Sequence, residues 1–172
     1  RDSLNDATID LLYKSAPLHD IGKVGVPDAI LRKPGKLTHE EFEEMKRHTV
    51  YGLRALRMAE KRLGSNSFMR LAAEIAYSHH EKWDGSGYPR GVGGAEIPVS
   101  GRIMALADVY DALVSRRVYK EPFPHDRAIS VVAEGRGTSF DPGMTDCFLG
   151  VGDEIGEIAR EFPDDDISDK EE

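Results

Sequence analysis

Apolar residues at Ile9, Leu12 and Ala16 recur at helical spacing and predict one helix over residues 7–18. The stretch VPDAILRKPGK, residues 26–36, breaks that period and predicts a connector with a short helical turn, ended by Pro34-Gly35. Thr38 and Glu41 stand at the spacing of a capping box, so a helix starts there. It runs through EEFEEMKRH and on toward Leu63, with a break near His48. Gly64-Ser65-Asn66 forms a turn, and residues 68–80 form the next helix, with Leu71 and Ile75 on related faces. Residues 83–98, WDGSGYPRGVGGAEIP, hold five glycines and two prolines and predict a long loop. Loops of that length in compact domains are uncommon and often functional. A strong helix over about 100–118 follows, then two shorter helices over 125–134 and 141–160. Alternation of period two never persists, and there is no internal repeat. The fold class is therefore all-α.

Length and composition narrow this picture. A chain of 172 residues suits one domain with a sizeable core. No apolar run approaches the ~18–20 residues of a membrane span. The first ten residues are polar, so no leader is read there. The chain begins at Arg1 and is read as a piece of a longer protein. The single cysteine, Cys147, can supply neither an internal disulfide nor a thiolate cage, and cytoplasmic location is the simple expectation. The net charge is -8. Residues 163–172 are read as an acidic, disordered tail beyond a domain spanning 1–162. An acidic chain without a basic stripe is no duplex nucleic-acid binder. A small anionic ligand remains compatible with positive charge concentrated locally.

The six histidines carry the candidate chemistry. His39 and His125 are read as structural or exposed. The adjacent pair His79-His80 sits at a helix end, where two imidazoles about 100° apart can reach one metal or two. His19-Asp20 offers a nitrogen beside an oxygen, a donor set suited to manganese, iron or zinc. Asp108 lies within the apolar run IMALADVYDALV. A buried carboxylate there needs a partner or a metal, and a salt bridge to Arg102 or Arg116 is the competing expectation. Lys23 follows Asp20 by three residues and shares its face if that turn is helical. Its ammonium has no lone pair for a metal, but it can hold an anion. Together His19, Asp20, His48, His79, His80 and Asp108 read as a binuclear metal site for attack on a phosphate.

HDIGK, PDAILRKPGKLT, MKRH, SHHEKWDGSGYP and RIMALADVYDALVSRRVYK, in this order, resemble the HD-GYP family of metal-dependent phosphohydrolases over residues 8–149. The name matches His19-Asp20 and Gly87-Tyr88-Pro89. The resemblance implies an HD-type helical bundle with a long Gly-rich loop and two or three iron or manganese ions. It also implies hydrolysis of cyclic di-GMP, a bacterial second messenger, to pGpG, with GMP as a further product. His19, Asp20, His48, His79, His80 and Asp108 would be the metal ligands. Asp20 would bridge the metals, and Lys23 would contact phosphate. Arg117 and Lys120 match substrate-binding residues, although cations are favoured at a helix C-terminus in any case. Tyr88 would either stack on a base or pack beneath its loop. The loop is linked in the family to partners carrying GGDEF domains.

Family members carry a further helix ahead of the HD pair, with an additional histidine and sometimes a glutamate for the metals. Only eighteen residues precede His19, and none is histidine. That helix is therefore expected upstream, together with a sensory or receiver domain. The main expectation is a phosphodiesterase. The rivals are a non-catalytic module binding cyclic di-GMP or a GGDEF domain, and an HD hydrolase for other nucleotides or alarmones.

Overall fold

The computed structural model describes residues 4–64, 66–116 and 121–161. Arg117, Lys120 and the acidic tail lie outside the described residues. Helix α1 (Asp6–Ser15) is capped by Asn5, whose side chain accepts from the Thr8 amide. Pro17 cannot donate to a continuing α-helical ladder, and the chain tightens into the 3-10 turn Ala16–Leu18. A second such turn, Ile21–Gly25, carries the residues after Asp20. The short α2 (Asp28–Leu31) matches the expected helical turn.

Helix α3 (His39–Lys46) opens on the capping box: Thr38 accepts from the Glu41 amide, and the Glu41 carboxylate accepts from the Thr38 amide at 2.7 Å. The chain bends at Arg47, and α4 (His48–Leu63) begins on the histidine where the break was expected. Helix α5 (Ser67–Ser78) follows, with Asn66 as its cap. Helix α6 (Val99–Val114) lies beyond the long loop. Helices α7 (His125–Glu134), α8 (Pro142–Gly150) and α9 (Gly152–Glu161) complete the described residues. The expected single helix over 141–160 is thus two. The chain leaves helical geometry at Val151, between Gly150 and Gly152, where helix propensity is weakest. Among the described residues there is no strand, only an isolated bridge between Arg136 and Phe140.

Helix α5 is the axis of the fold. Helices α1, α4 and α6 pack against it, and α7 and α8 pack against α6. Ala72, Ala73 and Ala76 of α5 bury themselves with Leu56 of α4, and small side chains let the two helices approach closely. A second cluster joins Leu106 and Tyr110 of α6 to Ala128 and Val132 of α7 and to Phe140. Burial of these apolar surfaces is the main favourable term holding the helices together.

The turn after Asp20 is pressed onto α4 more tightly than any side chain allows. A Cβ at Gly22 would lie 1.9 Å from the His48 carbonyl oxygen and 2.4 Å from the Gly52 nitrogen. Glycine is therefore required at position 22, and this approach carries His19 and Asp20 to the N-terminus of α4, where His48 stands.

Candidate metal centre

Four parts of the chain converge here: the turn carrying His19 and Asp20, the first residue of α4, the end of α5, and the middle of α6. His79 follows the last residue of α5, and its amide still donates to the Ile75 carbonyl. The pair therefore keeps near-helical placement, and the two rings lie 4.0 Å apart at 40°.

Three histidines are oriented in the same way. Each places Nδ1 against a main-chain carbonyl: His19 against Ala16 at 2.8 Å, His48 against Met45 at 2.7 Å, and His79 against Ile75 at 3.1 Å. A carbonyl can only accept, so Nδ1 carries the proton and donates. In the neutral imidazole, Nε2 is then left with a lone pair. These Nε2 atoms point inward, to 3.2 Å from Asp20 for His19, 3.3 Å for His48 and 3.8 Å for His79. His19 Nε2 also lies 3.7 Å from Asp108. Ligand atoms of Asp20, His48, His79 and His80 all fall within 4.8 Å of one another. His19 joins Asp108 to this group.

Asp20 Oδ1, His48 Nε2 and His79 Nε2 are buried and have no hydrogen-bond partner among the described residues. Orphaned buried polar atoms are costly and rare in folded proteins. Three of them facing one point, with ring orientations fixed by their far nitrogens, fit a divalent cation of the kind that takes imidazole and carboxylate ligands. The donor set and its carbonyl supports satisfy that test.

The charges agree with the geometry. Burial opposes the ionised form of Asp20, but hydrogen bonds from His19 and Lys23 outweigh it and hold the carboxyl well below its usual range. Burial likewise opposes ionisation of Asp108, and His19 outweighs it. Burial would lower His19, yet its bonds to Asp108 and Asp20 raise it to about 10. Burial lowers His79 to about 4 and His80 to about 3, with neighbouring histidines adding to the effect. His48 is lowered by burial as well. Two anionic carboxylates beside the neutral imidazoles of His48, His79 and His80 suit a metal, whereas His19 holds a proton between the carboxylates that a metal must displace.

Lys23 donates to Asp20 Oδ2 across one turn, as its spacing predicted. It borders an open cavity of about 400 Å³ lined also by Asp20, His80 and Asp108. The salt bridge weighed for Asp108 with Arg102 does not form. Six residues apart on a helix, the two do not share a face, and Arg102 instead donates to Asp141 at 2.6 Å. His39 is exposed, and His125 pairs its Nδ1 with the Tyr110 hydroxyl at 2.8 Å. Neither belongs to the cluster.

The glycine-rich loop covers one side of the site. Tyr88 packs its ring 4.8 Å from that of His80 at 34°. This contact places the Tyr88 ring beside the histidine pair. Burial and the charges of Asp20 and Asp108 push its phenol up, so it stays neutral. A Cβ at Gly87 would meet the Lys82 nitrogen at 2.3 Å and the His80 carbonyl oxygen at 2.5 Å, so only glycine lets the loop lie on the histidine pair.

Sequence reasoning missed Glu81. This residue is 2% exposed. Its carboxylate accepts from the amides of Arg90 at 2.8 Å and Val92 at 3.2 Å, tying the loop back to the residue after His80. Its adjacency to the histidine pair was the available signal.

The HD domain family model matches residues 2–144. The chain belongs to the HD domain family. With Gly87-Tyr88-Pro89 folded against His80, it falls in the HD-GYP branch that its motifs resemble. This HD domain is 58% identical over 161 residues to a cyclic di-GMP phosphodiesterase of Vibrio cholerae, covering 94% of the chain and 33% of that protein. It is 49% identical over 165 residues to a cyclic di-GMP phosphodiesterase of Thermotoga maritima, covering 96% and 44%. A 3'3'-cGAMP-specific phosphodiesterase of Vibrio cholerae is 43% identical over 161 residues, covering 94% and 30%. The chain thus spans between 30% and 44% of the length of these three relatives. No helix among the described residues is long and apolar enough to cross a membrane.

Proposed function

We propose that this HD domain is the catalytic unit of a metal-dependent phosphodiesterase that opens cyclic di-GMP to linear pGpG. The observation that carries the reading is the convergence of the orphaned atoms Asp20 Oδ1, His48 Nε2 and His79 Nε2 beside the cavity bordered by Lys23. The named activities of the relatives supply the substrate class.

His19, Asp20, His48, His79, His80 and Asp108 would hold the metals, with iron or manganese the ions best matched to the mixed imidazole and carboxylate set. Bound there, such ions supply Lewis acidity toward the phosphate and lower the pKa of water toward neutrality. Hydrolysis forms a bond from water oxygen to phosphorus and breaks the bond from phosphorus to the ribose 3′ oxygen, which leaves as a hydroxyl. Lys23 places its ammonium beside the cavity and neutralises a phosphate oxygen. Arg117 and Lys120 would add charge-assisted contacts to the second phosphate. The carbonyls of Ala16, Met45 and Ile75 keep the imidazoles in the ligating tautomer throughout. Tyr88 shields one side of His80 from water.

The test is anaerobic incubation with iron(II), and separately with manganese, and cyclic di-GMP, followed by chromatographic separation of the nucleotides. Appearance of pGpG in the unmodified protein and its absence in a Lys23→Met variant support the reading. Intact cyclic di-GMP in every sample overturns it.

A further inference from the structure

A second cavity, of about 310 Å³, adjoins the first at His80 and is not lined by Lys23. The two cavities share His80 and Val109 as walls. Their chemistry differs. The first has Asp20, Lys23 and Asp108. The second is walled by Val109, Val131, Phe140 and the ring of Tyr88. A largely apolar slot next to a phosphate-handling site is what a nucleobase joined to that phosphate requires. The volume sits at the lower end of the range for small organic ligands.

The slot is preformed. Trp83 donates its amide to the Ser139 carbonyl at 3.3 Å, and Asp84 donates to Thr138 at 2.9 Å, so the glycine-rich loop and the segment before α8 are joined by main-chain bonds. Phe140 is 6% exposed and belongs to the core cluster. A Cβ at Gly135 would meet its ring at 2.7 Å, so glycine at 135 permits the position of this wall. Tyr88, another wall of the slot, packs its ring against His80.

Besides His79, His80 and the amide-bound Glu81, the polar side chains Lys82 and Ser139 line the slot. Among the described residues the Lys82 ammonium forms no ion pair and the Ser139 hydroxyl no hydrogen bond. Lys82 and Ser139 can both donate. Guanine presents two acceptors, O6 and N7, on one edge, whereas adenine replaces O6 with a donor amino group. A lysine and a hydroxyl at the slot therefore favour guanine over adenine.

We infer that this slot is the subsite for one guanine of the cyclic dinucleotide, with Tyr88 and Phe140 against the base and Lys82 and Ser139 at its edge. The inference rests on the substrate reading above and adds where a base sits and what selects it.

The test uses hydrolysis-resistant bisphosphorothioate analogues of cyclic di-GMP and cyclic di-AMP, titrated calorimetrically into manganese-loaded protein. Val131→Trp fills the slot from α7, a helix that carries none of the candidate metal ligands. Lys82→Met alters an exposed residue and leaves the slot open. Circular dichroism checks that both variants are folded. The expected result is tighter binding of the guanine analogue by the unmodified protein and at least tenfold weaker binding of it by folded Val131→Trp. In Lys82→Met the preference for guanine shrinks about tenfold, within the range of one base-edge contact. Three results overturn the inference: no binding of the guanine analogue by the unmodified protein, equal binding of both analogues, or undiminished guanine binding by Val131→Trp. Should Val131→Trp not fold, Lys82→Met decides, and an unaltered base preference overturns the edge assignment. Turnover of bis(p-nitrophenyl) phosphate, a diester without a base, is measured alongside. Its absence in the unmodified protein counts against the phosphodiesterase reading and leaves the binding result to stand or fall separately.

Discussion

His48 Nε2 and Asp20 Oδ1 face each other at 3.3 Å, both buried and without a hydrogen bond among the described residues. With Nδ1 donating to Met45, neutral His48 offers a lone pair, and Asp20 is an anion. Two acceptors at this distance repel unless a cation or a proton lies between them. The protein brings them together through the contact of Gly22 with the first turns of α4.

That contact gives the first prediction. Gly22→Ala places a methyl group 1.9 Å from a main-chain oxygen, so backbone must move. Overpacking of this kind costs about 1–3 kcal/mol or more. The midpoint of chemical denaturation should fall accordingly, and metal affinity with it. An unaltered midpoint would contradict the packing described for the turn.

Glu81 provides the second. Glu81→Ala leaves the amides of Arg90 and Val92 without their acceptor, at about 1–3 kcal/mol each where they stay buried. Trp83, the only tryptophan, lies two residues away in the same loop. Its emission should shift in Glu81→Ala and return toward the unmodified spectrum in Glu81→Gln, which keeps one acceptor. An unchanged spectrum in both variants would show that Glu81 does not hold the loop.

Much of this was legible in the chain. Thr38 and Glu41 announced a cap made entirely within four residues, and the break at His48 fell where expected. The histidine pair and Asp108 stood out because ionisable groups interrupted apolar runs. What escaped depends on distant parts of the chain. Asp141 claims Arg102 from 39 residues away. Glu81 binds amides nine and eleven residues on, inside a loop with no period. The split at Val151 had a local signal in Gly150 and Gly152, overridden by the apolar pattern that continues through Phe148 and Ile155.

The third prediction concerns pH in the metal-free protein. His79 and His80 are lowered to about 4 and about 3 from the ordinary 6.5. Between those values the unfolded chain binds more protons than the folded one. Their contribution is therefore full above 6.5 and is lost as pH falls toward 4 and 3. His19, raised to about 10, acts the other way: its contribution is full below 6.5 and is lost as pH rises to 10. Denaturation midpoints of chelator-treated protein should fall between pH 6.5 and 4, and fall less in His80→Phe. A flat profile over that interval would contradict the burial of neutral imidazoles.

The central claim is that Asp20, His48 and His79 meet in order to hold a divalent metal. Competition titration with a chromogenic chelator, using manganese at pH 7.5, tests it most directly on the unmodified protein and on Asp20→Ala and His48→Ala. The account predicts measurable affinity in the unmodified protein, at least a hundredfold weaker binding in each variant with helical content retained, and weaker binding at pH 5.5. Equal manganese affinity in all three proteins would contradict it.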